Sequence, residues 1–325
     1  MNFKDKYQEL LVAVESYMME QVPDKEPKYL YDPFRYVISA GGKRIRPILA
    51  LLSTAACGRN WKDALPVAAA IEILHNFTLV HDDIMDNSPF RRGRETVHKK
   101  WDEPTAILTG DIMIAWAYKI LQSNHPRYDE ICAVFTKGFI EVNEGQGYDM
   151  LFNEKKDTKF EDYLLMIKKK TAALLITPAV MGAHIAEANM TKQIALASYA
   201  LNLGLAFQIQ DDYLDMTADE AELGKKTGLD IVEGKKTCLI IKANEKELNL
   251  EDRALMDRFY NENGLPMEYV PQMSDIFQKY GVYDEIQNII ENYFESAKRD
   301  ITEMPQNDYT EMLIWLADSL NKREK

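Results

Sequence analysis

Two long segments of the chain are apolar on almost every side of a helix, and each ends in a cluster of aspartates. The segments are ALPVAAAIEILHNFTLV (64–80) and IALASYALNLGLAFQIQ (194–210), in which apolar residues recur at intervals of three and four. That spacing is typical of α-helices, and a helix that is apolar all round is buried in a protein core. The chain is therefore predicted to fold around two buried central helices.

The rest of the chain also favours helices. No segment shows the alternation of apolar and polar residues that is typical of β-strands. The 325 residues include only 15 glycines and 12 prolines, so helix-breaking residues are scarce. No linker-like segment or internal repeat divides the sequence. We therefore expect one all-α domain spanning residues 1–325.

Charge and cysteine content exclude several kinds of partner. The formal net charge of −13 argues against nucleic acid, which needs a basic face to displace counterions from phosphate. The three cysteines are far apart and have no metal-binding spacing, which indicates reduced thiols and a cytoplasmic protein. The N-terminus is amphipathic and carries acidic residues, unlike a signal peptide. No uncharged apolar run reaches the roughly 18 residues of a membrane span.

Each central helix is followed by a D-D-x-x-D motif. The first motif comprises Asp82, Asp83 and Asp86, and the second comprises Asp211, Asp212 and Asp215. Aspartates four residues apart lie on one face of a helix, where like charges repel. A solvated helix end would explain a single motif, but two copies after two buried helices favour compensation by cations. Carboxylate oxygens suit Mg²⁺, which also binds substrate phosphate oxygens.

Four basic clusters accompany the acidic motifs. They are Lys43, Arg44 and Arg46 in GGKRIRP, Arg91, Arg92 and Arg94 in RRGR, the segment KKKT (168–171), and Lys225, Lys226, Lys235 and Lys236. Each cluster alone could be a solvated run of charge. Together they indicate a phosphate-bearing ligand, because guanidinium groups match diphosphate oxygens bidentately. His75 lies on the same helical stripe as Asp82, which leaves open a substrate role or a place in the core.

Six motifs in a fixed order resemble those of a known family. The motifs are GGKRIRP, HDDIMD followed by RRG, the pair Lys170–Thr171, GQGYD (145–149), FQIQDDYLD (207–215) and GKKTGLDIVEGKKT (224–237). The set resembles the trans-isoprenyl diphosphate synthases, also called the polyprenyl synthetase family. The resemblance implies a bundle of about ten or more helices around a central cavity, with the acidic motifs facing each other across it. It also implies a homodimer.

The resemblance further implies a reaction and a role for each motif residue. The enzyme would condense isopentenyl diphosphate with an allylic diphosphate (dimethylallyl, geranyl or farnesyl) and release diphosphate. Isopentenyl diphosphate would be held by Lys43, Arg46, His75 and Arg92, and the allylic diphosphate by Arg91, Lys170, Lys225 and Lys235. Catalysis would rest on Lys170, Thr171, Gln208, Asp82 and Asp211, with Thr171 and Gln208 beside the reacting carbon. Three Mg²⁺ ions would be bound chiefly by Asp82, Asp86 and Asp211, with Asp83, Asp212 and Asp215 as further ligands or holders of metal-bound water.

Product length depends in the family on the two residues four and five positions before the first acidic motif. Here these are Thr78 and Phe77, which would form the floor of the tail pocket. Helical periodicity alone leaves Phe77 about 140° from Asp82, so a packed core residue is the alternative. The resemblance favours geranylgeranyl diphosphate over farnesyl diphosphate as the product.

Two other functions use some of the same residues. A class I terpene cyclase also carries D-D-x-x-D, but its second metal motif usually reads N-D-x-x-S-x-x-x-E, whereas this chain has DDYLD. A cyclase also needs no second diphosphate site of the kind that Lys43, Arg46 and Arg92 would form. A non-catalytic partner subunit of a prenyl synthase would typically have lost acidic motifs, and both are intact here.

Overall fold

The computed structural model of the protein describes residues 1–122, 125–155, 157–218 and 227–322, and most of these are helical. The α-helices are α1 (Phe3–Gln21), α2 (Lys28–Ile38), α3 (Ile45–Ala56), α4 (Leu65–Met85), α5 (Val97–Lys100), α6 (Glu103–Leu121), α7 (Tyr128–Glu154), α8 (Phe160–Ile167), α9 (Ala173–Ile185), α10 (Met190–Thr217), α11 (Leu229–Val232), α12 (Cys238–Asn244), α13 (Leu250–Glu262), α14 (Val270–Lys279), α15 (Val282–Asp300) and α16 (Asp308–Asn321). Short 3-10 helices occur at Trp61–Ala64 and Met267–Tyr269, and a π-helical segment at Lys168–Ala172. The predicted all-α fold class is confirmed.

One small element was not predicted from the sequence. Strands β1 (Phe90–Arg91) and β2 (Arg94–Glu95) pair antiparallel, with Phe90 opposite Glu95 and Arg91 opposite Arg94. Arg92 and Gly93 at the turn both have positive φ, at 52° and 73°. Positive φ at both central residues is the mark of a type I′ turn, which suits the twist of a hairpin. Two-residue strands are too short to show any alternation, so the sequence pattern could not reveal them.

The described chain forms two compact units, and each is discontinuous in sequence. The first unit comprises residues 1–139, 174–197 and 303–313, and the second comprises residues 140–173, 198–302 and 314–325. The boundaries fall inside helices such as α7 and α10 rather than in linkers. The single domain expected from the sequence stays a prediction.

Helix α4 forms the core of the first unit. All eight consecutive residues from 67 to 74 are buried, as expected for a helix that is apolar on every side. Pro66 lies in its first turn, where the missing N–H of proline costs nothing. Among the described residues, Trp61–Met85 is the one helical stretch that could cross a membrane by length and composition, but 67% of its apolar window is buried within the protein. Packing in the core of the protein therefore explains why this helix is apolar.

In the second unit, helix α7 lies directly against the π-helical segment that carries Lys170. A Cβ atom added to Gly145 would lie 2.2 Å from the backbone N of Lys170 and 2.7 Å from the carbonyl carbon of Lys169. Such distances are far below van der Waals contact, and a backbone cannot move aside as a flexible side chain can. Gly145 in the GQGYD motif is therefore required for this close approach. π-Helical turns are rare and occur frequently at functional sites.

We predict that Gly145→Ala lowers the free energy of unfolding by about 1–3 kcal/mol or more, because the added methyl overpacks a rigid backbone contact. Gly147→Ala is the matched control on the same helix, since a Cβ at Gly147 would meet nothing within 4 Å. Alanine has the better helix propensity, so the control should gain about 0.5–1 kcal/mol. Urea unfolding of both variants measures the difference. Equal stability of the two variants would contradict the proposed contact.

Candidate functional site

The first acidic motif occupies the last turn of α4. Asp83 is buried, Asp82 is partly buried, and Asp86 is the exposed C-cap of the helix. The C-terminus of a helix carries a partial negative charge, so carboxylates there are unfavourable and cations are favourable. No basic residue lies in this last turn. The motif thus concentrates negative charge where the helix already has its negative end.

The hairpin brings two arginines to this end of the first unit. The Nε of Arg91 donates to Oδ1 of Asp83 at 2.7 Å. Burial raises the pKa of Asp83, and the guanidinium of Arg91 opposes that rise. Arg92 adopts a left-handed conformation that is costly for a residue other than glycine. The hairpin turn holds it there, which is consistent with a functional position.

The two glycines of GGKRIRP make room for Arg92. An added Cβ at Gly42 would lie 3.2 Å from Cζ of Arg92, and Gly42 has a φ of +139°. The Nη1 of Arg92 donates to the carbonyl oxygen of Gly41 at 2.5 Å and to Oδ1 of Asn76 at 3.4 Å. Two motifs about fifty positions apart therefore meet at one guanidinium group.

Arg44 belongs to the same motif but serves the fold. It is 3% exposed and forms a 2.8 Å ion pair with Glu72, which is 2% exposed. Its Nη2 also donates to the carbonyl oxygen of Ile38 at 2.9 Å. Asn76 in turn donates to the backbone oxygen of Glu72 at 2.7 Å. Glu72 and Asn76 were not singled out from the sequence; their signal is two polar residues inside an otherwise apolar helix.

His75 is held by Arg46. The distance between Nη1 of Arg46 and Nε2 of His75 is 3.1 Å. Arginine can only donate, so Nε2 of His75 accepts and the imidazole proton lies on Nδ1. Burial lowers the pKa of His75 well below its usual value, and the charges of the neighbouring arginines lower it further. The structure therefore contains a neutral imidazole among four guanidinium groups, and the sequence-predicted pair Arg46 and His75 lies together.

A small cavity of about 40 Å³ lies in the first unit beside these groups. Its lining includes Asp83, Arg91, Arg92 and Asn76. Lys43, which was expected with them, is exposed, and its backbone oxygen accepts from the hydroxyl of Tyr7. With Arg94 and Glu95, which also line it, the cavity combines two carboxylates with three guanidinium groups. Such a set suits an anionic ligand that binds together with a cation.

A larger cavity of about 220 Å³ lies in the second unit. Its described lining carries five carboxyl groups and three lysines, so the acidic side chains outnumber the basic ones by two. The carboxylates are Asp149, Asp211, Asp212, Asp215 and Asp230, and the lysines are Lys170, Lys235 and Lys236. The cavity therefore brings together the second acidic motif and the sequence-predicted residues Lys170, Thr171, Gln208 and Lys235. Lys225, which was predicted to bind the allylic diphosphate, lies outside the described residues.

The three aspartates of the second motif have different surroundings. Asp212 accepts from the hydroxyl of Tyr163 at 2.7 Å and from Nε2 of Gln208 at 2.8 Å. Burial raises the pKa of Asp212 to about 8, and the charge of Asp230 contributes to the rise. Asp215 is 2% exposed and accepts from the backbone N–H of Asp230 at 3.1 Å, which caps the start of α11. Asp211 is partly buried on the cavity wall.

The lysines of the second cavity are held by specific partners. Lys170 forms a 2.6 Å ion pair with Asp149, the last residue of GQGYD. Lys235 pairs with Glu233 at 2.7 Å and with Asp230 at 3.3 Å. Lys236 is 8% exposed and donates to the backbone oxygen of Asn153.

Burial lowers the pKa of Lys236. Lys236 was named in a basic cluster but given no role, and Asp230 was missed from the sequence, although both lie in a motif that was recognised. Their spacing within GLDIVEGKKT was the available signal.

The carboxylates fit Mg²⁺ on the chemistry of the donor set. Both motifs place hard oxygen donors at a helix end that lacks a basic residue in its last turn. Burial is the main cause of the raised pKa of Asp212, but the negative charges of Asp230 and Asp211 add to it, and a bound cation would relieve that repulsion. Among the described residues no group of three potential ligand side chains is close enough to hold a metal by itself. Mg²⁺ commonly takes one or two carboxylates and completes its shell with water and substrate phosphate.

The two residues predicted to set product length lie on α4. Phe77 is 5% exposed and packs edge-on against the rings of His81 and Phe139, at centroid distances of 4.7 and 5.6 Å. The hydroxyl of Thr78 donates to the backbone oxygen of His75 at 2.7 Å. Phe77 lines neither of the two cavities described above. His81 and Phe139 form the rest of an aromatic cluster in the first unit.

Comparison with known proteins identifies the family. A family model described as polyprenyl synthetase matches residues 27–276. The chain belongs to the polyprenyl synthetase family. It is 37% identical over 326 residues to the short chain isoprenyl diphosphate synthase of Methanothermobacter thermautotrophicus, covering 100% of this chain and 98% of that protein. It is also 37% identical over 314 residues to the geranylgeranyl diphosphate synthase of Methanosarcina mazei, covering 96% and 95% of the two chains.

Solved structures agree with this assignment. The crystal structure of the geranylgeranyl pyrophosphate synthetase from Pyrococcus horikoshii matches with a TM-score of 0.92 at 34% sequence identity, covering 100% of both chains. The family relationship makes the protein a trans-prenyltransferase with the all-α isoprenoid synthase fold. The resemblance read from the six motifs is confirmed.

We predict that His75 makes the stability of the protein depend on pH below about 6.5. Its folded pKa is lowered, so the unfolded chain takes up the proton first and unfolding becomes easier as the pH falls below that value. Relative to His75→Asn, the wild type should lose up to about 1.4 kcal/mol per pH unit in the free energy of unfolding. Urea unfolding between about pH 7.5 and 5 measures this. Parallel curves for the two proteins would contradict the neutral imidazole.

Proposed function

We propose that the protein condenses isopentenyl diphosphate with an allylic diphosphate to make a short-chain all-trans prenyl diphosphate, with geranylgeranyl diphosphate as the main product. The observation that carries the proposal is the pairing of charges within each unit. In the first unit Asp83, Arg91 and Arg92 line one cavity, and in the second unit the DDYLD aspartates line a cavity with Lys170 and Lys235. Carboxylates for a metal ion beside cations for a diphosphate are the combination that prenyl transfer requires.

The first unit supplies the groups for isopentenyl diphosphate. Arg46 contacts His75, and the charge of Arg92 also acts on that imidazole. Lys43 is exposed on the loop that carries Gly41. The neutral His75 presents an N–H donor at Nδ1, so it can bind a phosphate oxygen without adding a further positive charge to the cluster. Guanidinium groups bind diphosphate through paired hydrogen bonds, which orients the substrate as well as holding it.

The second unit supplies the groups for the allylic diphosphate. Lys170 and Lys235 of this unit would hold its phosphate oxygens. The motif assignment adds Lys225 and also Arg91, which belongs to the first unit. Thr171 and Gln208 lie in the same cavity, hydrogen-bonded to each other at 2.7 Å, and would lie beside the carbon that carries the diphosphate. We propose Mg²⁺ as the cofactor, three ions in all, with Asp82, Asp86 and Asp211 as the chief ligands. Asp83, Asp212 and Asp215 would be further ligands or would hold metal-bound water.

The chemistry follows from this charge distribution. The bond between the allylic carbon and oxygen breaks, and its electron pair leaves with the diphosphate. Mg²⁺, when bound, neutralises the charge that develops on the departing diphosphate. Lysine and arginine side chains share that task in a cavity where electrostatic interactions are strong. The double bond of isopentenyl diphosphate then attacks the cationic carbon, and the proton that is lost passes to the released diphosphate.

The product length rests on Phe77 and on the named relatives. Phe77 is buried on α4 five residues before Asp82, where a bulky side chain would stop a growing tail. The relative from Methanosarcina mazei is named a geranylgeranyl diphosphate synthase, and the one from Methanothermobacter thermautotrophicus a short chain synthase. We further propose a homodimer that acts in the cytoplasm, as the cysteine content and the family suggest.

The function is tested by supplying isopentenyl diphosphate with dimethylallyl, geranyl or farnesyl diphosphate in separate reactions and separating the products by chromatography. All-trans products that end chiefly at twenty carbons are expected, with one diphosphate released per condensation. Asp82→Ala and Asp211→Ala should each lower turnover about 100-fold or more at saturating Mg²⁺. Asp63→Ala is the control, because Asp63 is an exposed partner of Arg59 far from the acidic motifs in sequence. Cyclic products, or full activity in both motif variants, would contradict the proposal.

Product length is tested separately with Phe77→Ala. Removing the ring should open the floor of the tail pocket, so products longer than those of the wild type should appear. Phe34→Ala is the control, since Phe34 is a fully buried phenylalanine of the same unit. Both changes cost about 3–5 kcal/mol of stability, but product length does not depend on the amount of folded enzyme. An unchanged product from Phe77→Ala would remove Phe77 as the floor.

A further inference from the structure

Four side chains of the second unit form one continuous hydrogen-bonded chain on the wall of its cavity. The hydroxyl of Thr171 donates to Oε1 of Gln208 at 2.7 Å. The Nε2 of Gln208 donates to Oδ1 of Asp212 at 2.8 Å, and the hydroxyl of Tyr163 donates to Oδ2 of Asp212 at 2.7 Å. All four residues line the cavity. Tyr163 has no place among the residues that the motifs assign.

The chemistry of these groups fixes the direction of every hydrogen bond in the chain. An amide nitrogen can only donate, so Nε2 of Gln208 donates to Oδ1 of Asp212, while Oδ2 of Asp212 accepts from the hydroxyl of Tyr163. The amide oxygen of Gln208 then points toward Thr171 and accepts its only hydroxyl proton. The lone pairs of the Thr171 oxygen are the part of that hydroxyl left for the cavity.

Tyr163 lies at the end of this hydrogen-bonded chain and fixes the position of the Asp212 carboxylate. It is 1% exposed, so its ring is held by packing and its hydroxyl has a fixed position. Two donors, one on each oxygen, fix the plane of the Asp212 carboxylate. Without the hydroxyl of Tyr163, one buried oxygen would lack its donor, and the carboxylate would lose one of its two fixed points. The carboxylate could then turn about its Cβ–Cγ bond, and the Gln208 amide that donates to it would lose its fixed position.

We propose that Tyr163 is a positioning residue for the prenyl transfer reaction. Acting through Asp212 and Gln208, it makes the hydroxyl of Thr171 present its lone pairs, and not its proton, to the allylic carbon. A hydroxyl oxygen oriented in this way stabilises positive charge at that carbon, and a preorganised dipole does so without reorganising during the reaction. The inference rests on the proposed function, because it requires a cationic carbon beside Thr171.

The test compares Tyr163→Phe with Tyr283→Phe. Tyr283 is a second buried tyrosine of the same unit, whose hydroxyl is 2.9 Å from that of Ser274 and which does not line the cavity. Tyr163→Phe should lower kcat about tenfold while the KM for each diphosphate changes less than about twofold, because only the transition state loses stabilisation. Tyr283→Phe should keep wild-type kinetics. Both variants lose one hydrogen bond of a buried tyrosine, so they should show similar decreases in melting temperature.

A double variant shows whether the effect passes through Thr171. Thr171→Val removes the hydroxyl with little change in shape, and adding Tyr163→Phe to it should not lower kcat further. Effects on kcat that multiply in the double variant would overturn the proposal. So would wild-type kcat in Tyr163→Phe, or a loss of kcat accompanied by raised KM values and a much larger decrease in melting temperature than in Tyr283→Phe. Failure of the wild type to form any prenyl product would instead overturn the proposed function.

Discussion

Carboxylates at the negative ends of two buried helices are the electrostatic constraint to which the rest of the structure responds. Burial in a low-dielectric interior makes each of these charges costly unless a donor or cation lies beside it. In α4, Asp83 forms an ion pair with Arg91 at 2.7 Å. In α10, Asp212 accepts hydrogen bonds from Tyr163 and Gln208, and Asp215 accepts one from a backbone N–H. The hairpin carries Arg91, and the short helix α11 carries the N–H of Asp230 that binds Asp215.

Basic residues divide between those that serve the fold and those available to a ligand. Arg44 and Arg46 are two positions apart, yet Arg44 is buried against Glu72 whereas Arg46 contacts His75. A buried ion pair of this kind adds little net stability, but it fixes the loop that contains the two glycines. That loop then accommodates the guanidinium of Arg92. In the first unit, the buried pair Arg44–Glu72 therefore helps to position Arg92, which is available to a ligand.

Sequence patterns identified the elements and the chemistry but not every member of the site. The periodicity of 64–80 and 194–210 predicted two buried helices, and both form as parts of α4 and α10. The motif residues Lys170, Thr171 and Gln208 line one cavity. Tyr163 was missed because a tyrosine in an amphipathic helix has no distinguishing local pattern. The hairpin was missed because its strands are two residues long.

The sequence by itself determined the helical architecture, the family and the residue types that meet a diphosphate and its metal ions, since these depend on spacing along one helix or within one motif. Only the tertiary structure decided which oxygen faces which donor. Tyr163 meets Asp212 across 49 residues, and Arg92 meets Gly41 across 51. Such contacts are set by how helices pack, and packing depends on side chains that are distant along the chain. The orientation of the Thr171 hydroxyl is therefore a property of the fold and cannot be read from its motif.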